Sequence, residues 1–528
     1  MGVLRRVLRA MFESKLRAVV AAVSALVALY VVVGPIFAAK YPPMTDLPFH
    51  AAHASILRHH GDPAWHFREQ FELQPIAVPY LLHYALAALL MLVLPVLTAV
   101  KVATAMLLLL VPAGMAVLLR GMKKSPHGAL LTLPLAYCTL THWGFVSFVA
   151  ALGLFAMAVG LAMLVVDRPT TGRRVGLAVT LVALFFTHIF RFPMAIAAVI
   201  GAAIFLYPAT RRLRVIVLPV VPALVLFAIW LVVRPKVIDP AAAKLGLDLG
   251  RRAEIWGLLF SGFNDPREQE LAGTFARVAA LVGVGSFFAL FAEGRWPART
   301  RREGRFAIGA ALVVVACAAV FLGLFFVLPM EIGVWWYVYP REATAAVFVA
   351  IAILPGLPRA LALRVPLIGA VAVAAVLHGR FVAQSYATFD AQTADFDKVT
   401  ARIPMAPKLL YLVFDHGGST RGTPPFIHLP AYVQAERGGW LSFNFAGWGA
   451  APIVFRDPKE AGVVIPPPVP PRWEWTPHLF RVEQHGRFFD WFLVRSGGPA
   501  DHLFRADPTI RRVDHAGKWW LYARDRAR

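Results

Sequence analysis

The sequence is short of two things that water-soluble proteins carry in quantity, charge and thiols. Only 16% of its 528 residues are Asp, Glu, Lys or Arg, against about 25% in soluble domains. Acids are the scarcer sign, 30 against 53 Lys and Arg, which leaves a net charge of +23. The 2 cysteines, Cys138 and Cys317, each lie inside an apolar run. That excludes an extracellular disulfide framework. A lipid-buried thiol also resists ionising, which argues against thiolate catalysis. A Gly-rich phosphate loop, zinc-finger spacing and a clear internal repeat are missing as well.

What is present is apolar surface. Hydrophobic residues make up 59% of the chain, and mean hydropathy is +0.63. Apolar runs recur near 18–39, 76–100, 102–119, 128–142, 147–166, 175–187, 193–207, 215–233, 272–292, 306–328, 344–358 and 365–378, and then stop. About 20 apolar residues suffice to cross the hydrocarbon core as a helix. The expected class is an α-helical polytopic membrane protein. The cations sit mostly in short connections between runs, which fits orientation and contact with membrane lipids and gives no reason to invoke nucleic acid. The basic start, MGVLRRVLRAMFESKLR, precedes an apolar run of about 20 residues. With many more runs following, an uncleaved first helix is expected rather than a signal peptide.

If all twelve runs cross, the basic connections 120–124, 167–174, 211–214 and 295–305 lie outside, against the positive-inside rule. Run 76–100 contains Pro79, His83 and Pro95 and is expected to be a re-entrant or surface segment of a first outer loop, 40–101. About eleven spans remain. The N-terminus is then cytoplasmic, and the basic connections are inside. A transmembrane domain, 1–379, is followed by an extracytoplasmic α/β domain, 380–528. That tail is nearly balanced, 19 Lys and Arg against 14 acids, as suits a solvated domain. KLLYLVFD (408–415), RFFDWFLV (487–494) and KWWLYARD (518–525) read as strands. IPPPVPPRW (465–473) should be extended.

The densest titratable stretch, MTDLPFHAAHASILRHHGDP (44–63), follows the first span. Thr45 or Asp46 can cap a helix over about 47–60, with Pro48 in its first turn and Gly61 as C-cap. Asp46, His50 and His53 then fall near one face. Asp46 either only caps or serves as a general base beside a histidine, His50, in a partly dehydrated cleft. His50 and His53 with Asp46 also have weak metal-site spacing. A divalent metal is therefore conceivable but not favoured, and no cofactor is expected.

Two echoes stand at outer span ends, THWGF (141–145) with His142 and THIFRF (187–192) with His188 and Arg191. Rim polar residues usually satisfy neighbouring helices. A cation at the outer face runs against the charge bias, so Arg191 is a candidate for a lipid or substrate phosphate. A third outer segment, PMEIGVWWYVYPRE (329–342), places Arg341 and Glu342 beside Trp335, Trp336, Tyr337 and Tyr339. It reads either as an interfacial belt with a snorkelling arginine or as a lipid-phosphate site with an aromatic wall. The outer loop 234–271 adds Arg234, Lys236, Asp239 and Glu254, and AEIWGLLFSGF in it reads as an amphipathic surface helix.

TDLPFH (45–50), YLLHYALAALL (80–90) and the loop ending YVYPRE together resemble the GT-C class of polytopic glycosyltransferases, by architecture across most of residues 1–380. The resemblance implies an inverting transfer of sugar from a polyprenyl-phosphate donor to an extracytoplasmic acceptor at the plasma (inner) membrane. It assigns Asp46 as base, with His50 beside it, and Arg191 or Arg341 on the donor phosphate. His53, His142, His188, Trp336, Tyr339 and Glu342 would line the pocket. Two departures count against a metal-dependent member: Leu47 and Pro48 follow the single acid where some members have an acid pair, and THWGF holds no second-loop acid. A transporter and a non-catalytic envelope scaffold are the alternatives. Ionisable residues gather at the rims and leave the span centres nearly bare, which disfavours the transporter.

Overall fold

The computed structural model describes residues 2–74, 78–233, 244–295, 300–333, 335–448, 452–457, 464–467 and 473–525, with side chains from residue 13 onward. Arg234, Lys236 and Asp239, residues 76–77 and the proline-rich 468–472 lie outside them.

Eight helices among the described residues are long and apolar enough to cross a membrane: Glu13–Phe37, Val96–Gly121, Val146–Asp167, Arg191–Thr210, Arg214–Val233, Pro266–Ala292, Arg301–Val327 and Leu361–Thr400. Val146–Asp167 is the innermost, with 83% of its apolar window buried. It packs on Val96–Gly121 through facing glycines. A Cβ at Gly114 would lie 1.8 Å from the Gly153 carbonyl oxygen. Small residues permit this backbone approach where no hydrophobic force separates helix from lipid.

The other three of the eleven expected spans are shorter. Residues Pro126–Tyr137 form a tight 3-10 stretch, with Pro126 at its start and Pro134 inside, and Thr139–His142 follows as one helical turn. Thr171–Thr187 has 17 residues and is capped by Thr170, whose hydroxyl accepts from the Arg173 N–H. Val338–Ala350 runs on as the 3-10 turn Ile351–Ile353. Run 76–100 becomes a 10-residue helix, Leu81–Leu90, and a turn leading to Pro95, where the next long helix begins. Ten residues rise about 15 Å, half the hydrocarbon core. The expected surface helix near 253–263 is one short turn, Ile255–Leu259.

Connections alternate between two ends. At one end Lys123 and Arg302 both approach Asp167, at 3.4 and 3.5 Å. There, Lys124 Nζ donates to the Ala352 and Leu354 carbonyls, 2.6 and 2.8 Å away, closing a helix end that lacks its own partners. Glu293 accepts from the Arg359 and Ala360 amides. The basic connections thus share one end, and the opposite end carries the loop after the first helix.

That opposite end also carries a five-stranded sheet in the order Trp440–Leu441, Lys408–Val413, Trp491–Arg495, Trp519–Arg524, Ile510–Ala516. The first three strands run parallel and the last two antiparallel. The strands expected from 408, 487 and 518 are present, the middle one starting at Trp491 because 487–490 form its approach. The 40-residue helix Leu361–Thr400 is about 60 Å long, twice the hydrocarbon core. It carries through residue 379 and packs on the sheet, Phe396 against Trp519 at 5.1 Å and Phe389 against Phe426 at 4.9 Å. The first outer loop is stitched to this sheet domain as well: Phe71–Leu73 pairs with Ile453–Phe455.

Candidate active site

Asp46 stands at the start of helix Leu47–His59 with helical φ and ψ, and its side chain makes no capping bond. The capping reading is therefore not what the backbone adopts. The turn 139–145 supplies the seat instead, by three successive carbonyls. His142 O accepts from the Thr45 N–H at 2.9 Å, Trp143 O accepts from the Asp46 N–H at 3.1 Å, and Gly144 O accepts from His50 Nε2–H at 3.1 Å. Gly144 has φ +91°, and a Cβ on it would lie 2.6 Å from the Asp46 nitrogen, so glycine is required both for the turn and for the contact. At its far end the helix stops at His60, not Gly61.

With its backbone held, the Asp46 side chain is 18% exposed. Burial pushes its pKa up to about 8; the Arg341 guanidinium opposes that and Glu474 adds to it. A carboxylate whose affinity for a proton is raised, with the oxygens free of backbone amides, suits a general base near neutral pH. His428 Nε2 lies 3.6 Å from Asp46 Oδ1.

His50 is satisfied at both nitrogens. Nε2–H donates to Gly144 O, and Nδ1 accepts from the Tyr84 hydroxyl at 3.1 Å. Burial lowers its pKa to about 4. A neutral ring with both positions used holds geometry and has no lone pair left for a substrate proton, so the catalytic assignment from the sequence gives way to a positioning one. His53 diverges from its neighbours: Nε2–H donates to Asn444 Oδ1 at 2.8 Å and ties the first loop to the sheet domain. His142 is wholly buried, bonded to the Tyr386 hydroxyl at 3.3 Å and pressed under Gly262. Both rings are thus committed to partners other than Asp46. Among the described residues no three His, Cys, Asp or Glu side chains stand together as a metal cluster.

The two arginines separate cleanly. Arg191, 1% exposed, forms a two-pronged pair with Glu342 at 2.6 and 2.7 Å, between Phe148 and Phe321. Its charge is already matched by a carboxylate, which leaves neither Arg191 nor Glu342 placed to receive a phosphate. Arg341 has no carboxylate at ion-pair distance among the described residues. It lies over the Phe145 ring at 4.4 Å and donates to the Trp336 carbonyl at 3.1 Å. Its charge acts on Asp46, Tyr80 and His188 together, so these four groups share one neighbourhood. His188 packs edge-on to Tyr80 at 5.2 Å, and the Tyr80 hydroxyl is buried with no bond.

Two tyrosines at this rim, Tyr80 and Tyr337, sit in the left-handed region, at φ 67° and 63°, and each introduces a helix. Strain of this kind costs about 1–3 kcal/mol per residue and gathers at functional sites. Trp336 is 37% exposed and meets Trp143 at 4.8 Å, while Trp143 meets Trp475 at 6.4 Å. These rings form an aromatic wall beside Asp46. Tyr339 turns elsewhere: its hydroxyl donates to Glu254 at 2.8 Å and Arg251 lies over its ring.

The sequence reading missed His428, Trp475 and Glu474, all from the sheet domain, and Tyr80 and Trp143, which stood inside quoted segments without a role.

Among solved structures, the chain is similar to a crystal structure of ArnT from Cupriavidus metallidurans bound to undecaprenyl phosphate, with 13% identity and TM-score 0.54, over 97% of this chain and 98% of that one. It is also similar to a cryo-EM structure of the arabinofuranosyltransferase AftD from Mycobacteria, with 14% identity and TM-score 0.48, over 96% of this chain but only 40% of that much longer one. No family model and no curated protein matches the chain. The resemblance to the GT-C class drawn from the sequence is thus met in the fold, that of a multi-pass membrane protein with a sheet domain at the C-terminus.

Proposed function

Proceeding from the GT-C fold, we propose that the protein is a membrane glycosyltransferase that moves a sugar from a polyprenyl-phosphate donor to an acceptor hydroxyl. ArnT, the structure matched over nearly its whole length, holds undecaprenyl phosphate, and a lipid of that kind is the donor carrier proposed here. The basic end faces the cytoplasm by the positive-inside rule. The sites of Asp46 and Arg341 then open on the outer face of the plasma membrane.

One observation carries the reading. Among the described residues, Asp46 presents a carboxylate that no backbone amide engages, within the field of an arginine that no carboxylate engages at ion-pair distance. Arg341 binds the donor phosphate, and its planar donors stabilise the charge that grows there as the bond to the sugar breaks. Asp46 removes the acceptor's proton as its oxygen attacks the anomeric carbon from the opposite side, which inverts configuration. The aromatic wall of Trp143, Trp336 and Trp475 offers ring faces to a sugar. One carboxylate at this position is enough for base catalysis, and the proposed reaction uses no metal.

The test is reconstitution in proteoliposomes with tritiated undecaprenyl-phosphate hexose or pentose and envelope polysaccharide as acceptor. Loss of label from the lipid is expected with the wild type and none with D46N at equal protein abundance. Undiminished transfer by D46N would refute the assigned base.

A further inference from the structure

The C-terminal domain brings a histidine to the candidate base. His428 lies in the turn 424–430 that leads into helix Ala431–Arg437, and its carbonyl accepts from the Ala431 N–H at 2.9 Å. Its side chain is 6% exposed. Its ring sits in a box of three phenylalanines: Phe49 at 4.7 Å, Phe445 at 5.7 Å and Phe443 stacked at 6.0 Å. Phe49 belongs to the first loop, three residues after Asp46. The other two belong to the sheet domain. The box therefore fixes the ring relative to Asp46 from both sides, and Nε2 is the atom it turns toward Oδ1, 3.6 Å away. Nδ1 is buried and bonded to nothing.

Packing alone does not call for this residue. A box of three phenylalanines is filled as well by a fourth, and burying a ring nitrogen without a bond is costly. The nitrogen facing Asp46 is the feature that phenylalanine would lack. The gap of 3.6 Å is just longer than a hydrogen bond, and a modest shift of either side chain on substrate binding closes it.

Resting on the glycosyltransferase reading, we propose that His428 is a positioning residue for the transfer, supplied by the C-terminal domain to orient Asp46 and to accept a hydrogen bond from its protonated form. In the step itself the acceptor O–H breaks and its proton goes to an Asp46 oxygen. The acceptor oxygen bonds to the anomeric carbon, and the electron pair of the sugar–phosphate bond leaves on the phosphate beside Arg341. Asp46, now a carboxylic acid, donates its O–H to His428 Nε2, while Nδ1 carries the ring's own hydrogen. The proton later returns to the outer water. The groups facing Asp46 are Arg341, Glu474 and Tyr84, and His416 faces His428; they set the local charge around this hydrogen bond. On this view the sheet domain is part of the active site and not an appended module.

The experiment uses the full chain in proteoliposomes with tritiated undecaprenyl-phosphate hexose or pentose, comparing wild type, D46N, H428F and H428Q. His428→Phe keeps the ring in its box and removes the nitrogens. The expected result is unchanged abundance and thermal stability, unchanged KM for the lipid donor, kcat reduced at least tenfold, and a displaced pH dependence of kcat. His428→Gln, which restores a polar atom near Nε2, recovers part of kcat. Wild-type kcat and pH profile in H428F overturn the inference, and if H428F does not fold, the same result in H428Q does so. D46N separates the two claims. If D46N is inactive while the His428 variants behave as wild type, only the role of His428 fails. If D46N transfers sugar, the base assignment fails and this inference with it.

Discussion

The Arg191 guanidinium and the Glu342 carboxylate meet along two parallel hydrogen bonds in a site from which both side chains are almost wholly excluded from solvent. The pair joins the start of helix Arg191–Thr210 to helix Val338–Ala350, one residue after Arg341. It fixes the register of the segment that presents Arg341, and it does so without taking part in the reaction proposed above. Removing one partner strands a buried charge, which costs about 3–5 kcal/mol. R191A and E342A should each lower the thermal stability of the detergent-solubilised protein strongly. The double variant R191A/E342A should lose less than the two combined, because neither charge is then left alone. R191K should not restore stability, since an ammonium cannot make the fork. Additive losses measured by thermal unfolding would show that the pair does not act as a unit.

Asp46 sets the pH dependence. A general base works only when ionised, and burial raises this carboxyl's pKa to about 8. Below that value most molecules carry a protonated Asp46, which cannot act as the proposed base. Transfer should therefore rise with pH, roughly tenfold per unit at first, and level off above about 8. Initial rates between pH 6 and 9.5 measure it. A plateau already reached at pH 5 would mean that Asp46 behaves as an ordinary solvated acid and is not the limiting base.

How much of this was open to a reader of the sequence depended on separation along the chain. Asp46 stood out as an acid directly after the first span, and Arg341 as a cation among closely spaced aromatics, whereas the argument from a cation at the outer rim pointed to Arg191, which the structure pairs with Glu342. The eleven expected segments followed from apolar length, and the charge of the connections removed run 76–100 from the count; eight of the eleven are helices long enough to cross a membrane among the described residues, and three are shorter. Chain neighbours misled where tertiary partners decide. His50 and His53 are three residues apart, yet one bonds to Gly144 and the other to Asn444. No local pattern could assign Arg191 to Glu342, 151 residues away, or His428 to Asp46. Those pairings exist only once the helices have assembled.

Gly144 is the least replaceable residue near the site. An alanine there meets both a positive φ and the Asp46 backbone at 2.6 Å. The left-handed strain alone costs about 1–3 kcal/mol, and the contact must push Asp46 from its seat. Gly144→Ala should abolish transfer, as D46N does, while the protein still reaches the membrane in measurable amounts. Wild-type transfer rates in G144A would show that the turn 139–145 does not set the position of the carboxylate.

His50 offers the opposite expectation. With one nitrogen on Gly144 O and the other on the Tyr84 hydroxyl, its loss should cost stability, about 1–3 kcal/mol for the buried groups left unpaired. The rise of rate with pH should remain. H50A is expected to be less stable in thermal unfolding, with a pH profile of the same shape as wild type. Disappearance of the pH-dependent limb in H50A would return His50 to the role of base.

Arg341 should control the donor. Charge-assisted bonds of the kind a guanidinium makes to a phosphate contribute about 1.5–3 kcal/mol, equivalent to a factor of roughly 10–100 in binding. R341A should therefore raise KM for the lipid-linked sugar by about that factor. It should lower kcat as well, because the same cation stabilises the departing phosphate. R341K keeps the charge but loses the planar fork, so its KM should fall between those of wild type and R341A. Competition by undecaprenyl phosphate isolates the phosphate contact from the sugar contacts: R341A should weaken this inhibitor by the same factor as the donor. If R341A left inhibition by the bare lipid phosphate unchanged, the cation that holds the phosphate would have to be sought elsewhere on this face of the protein.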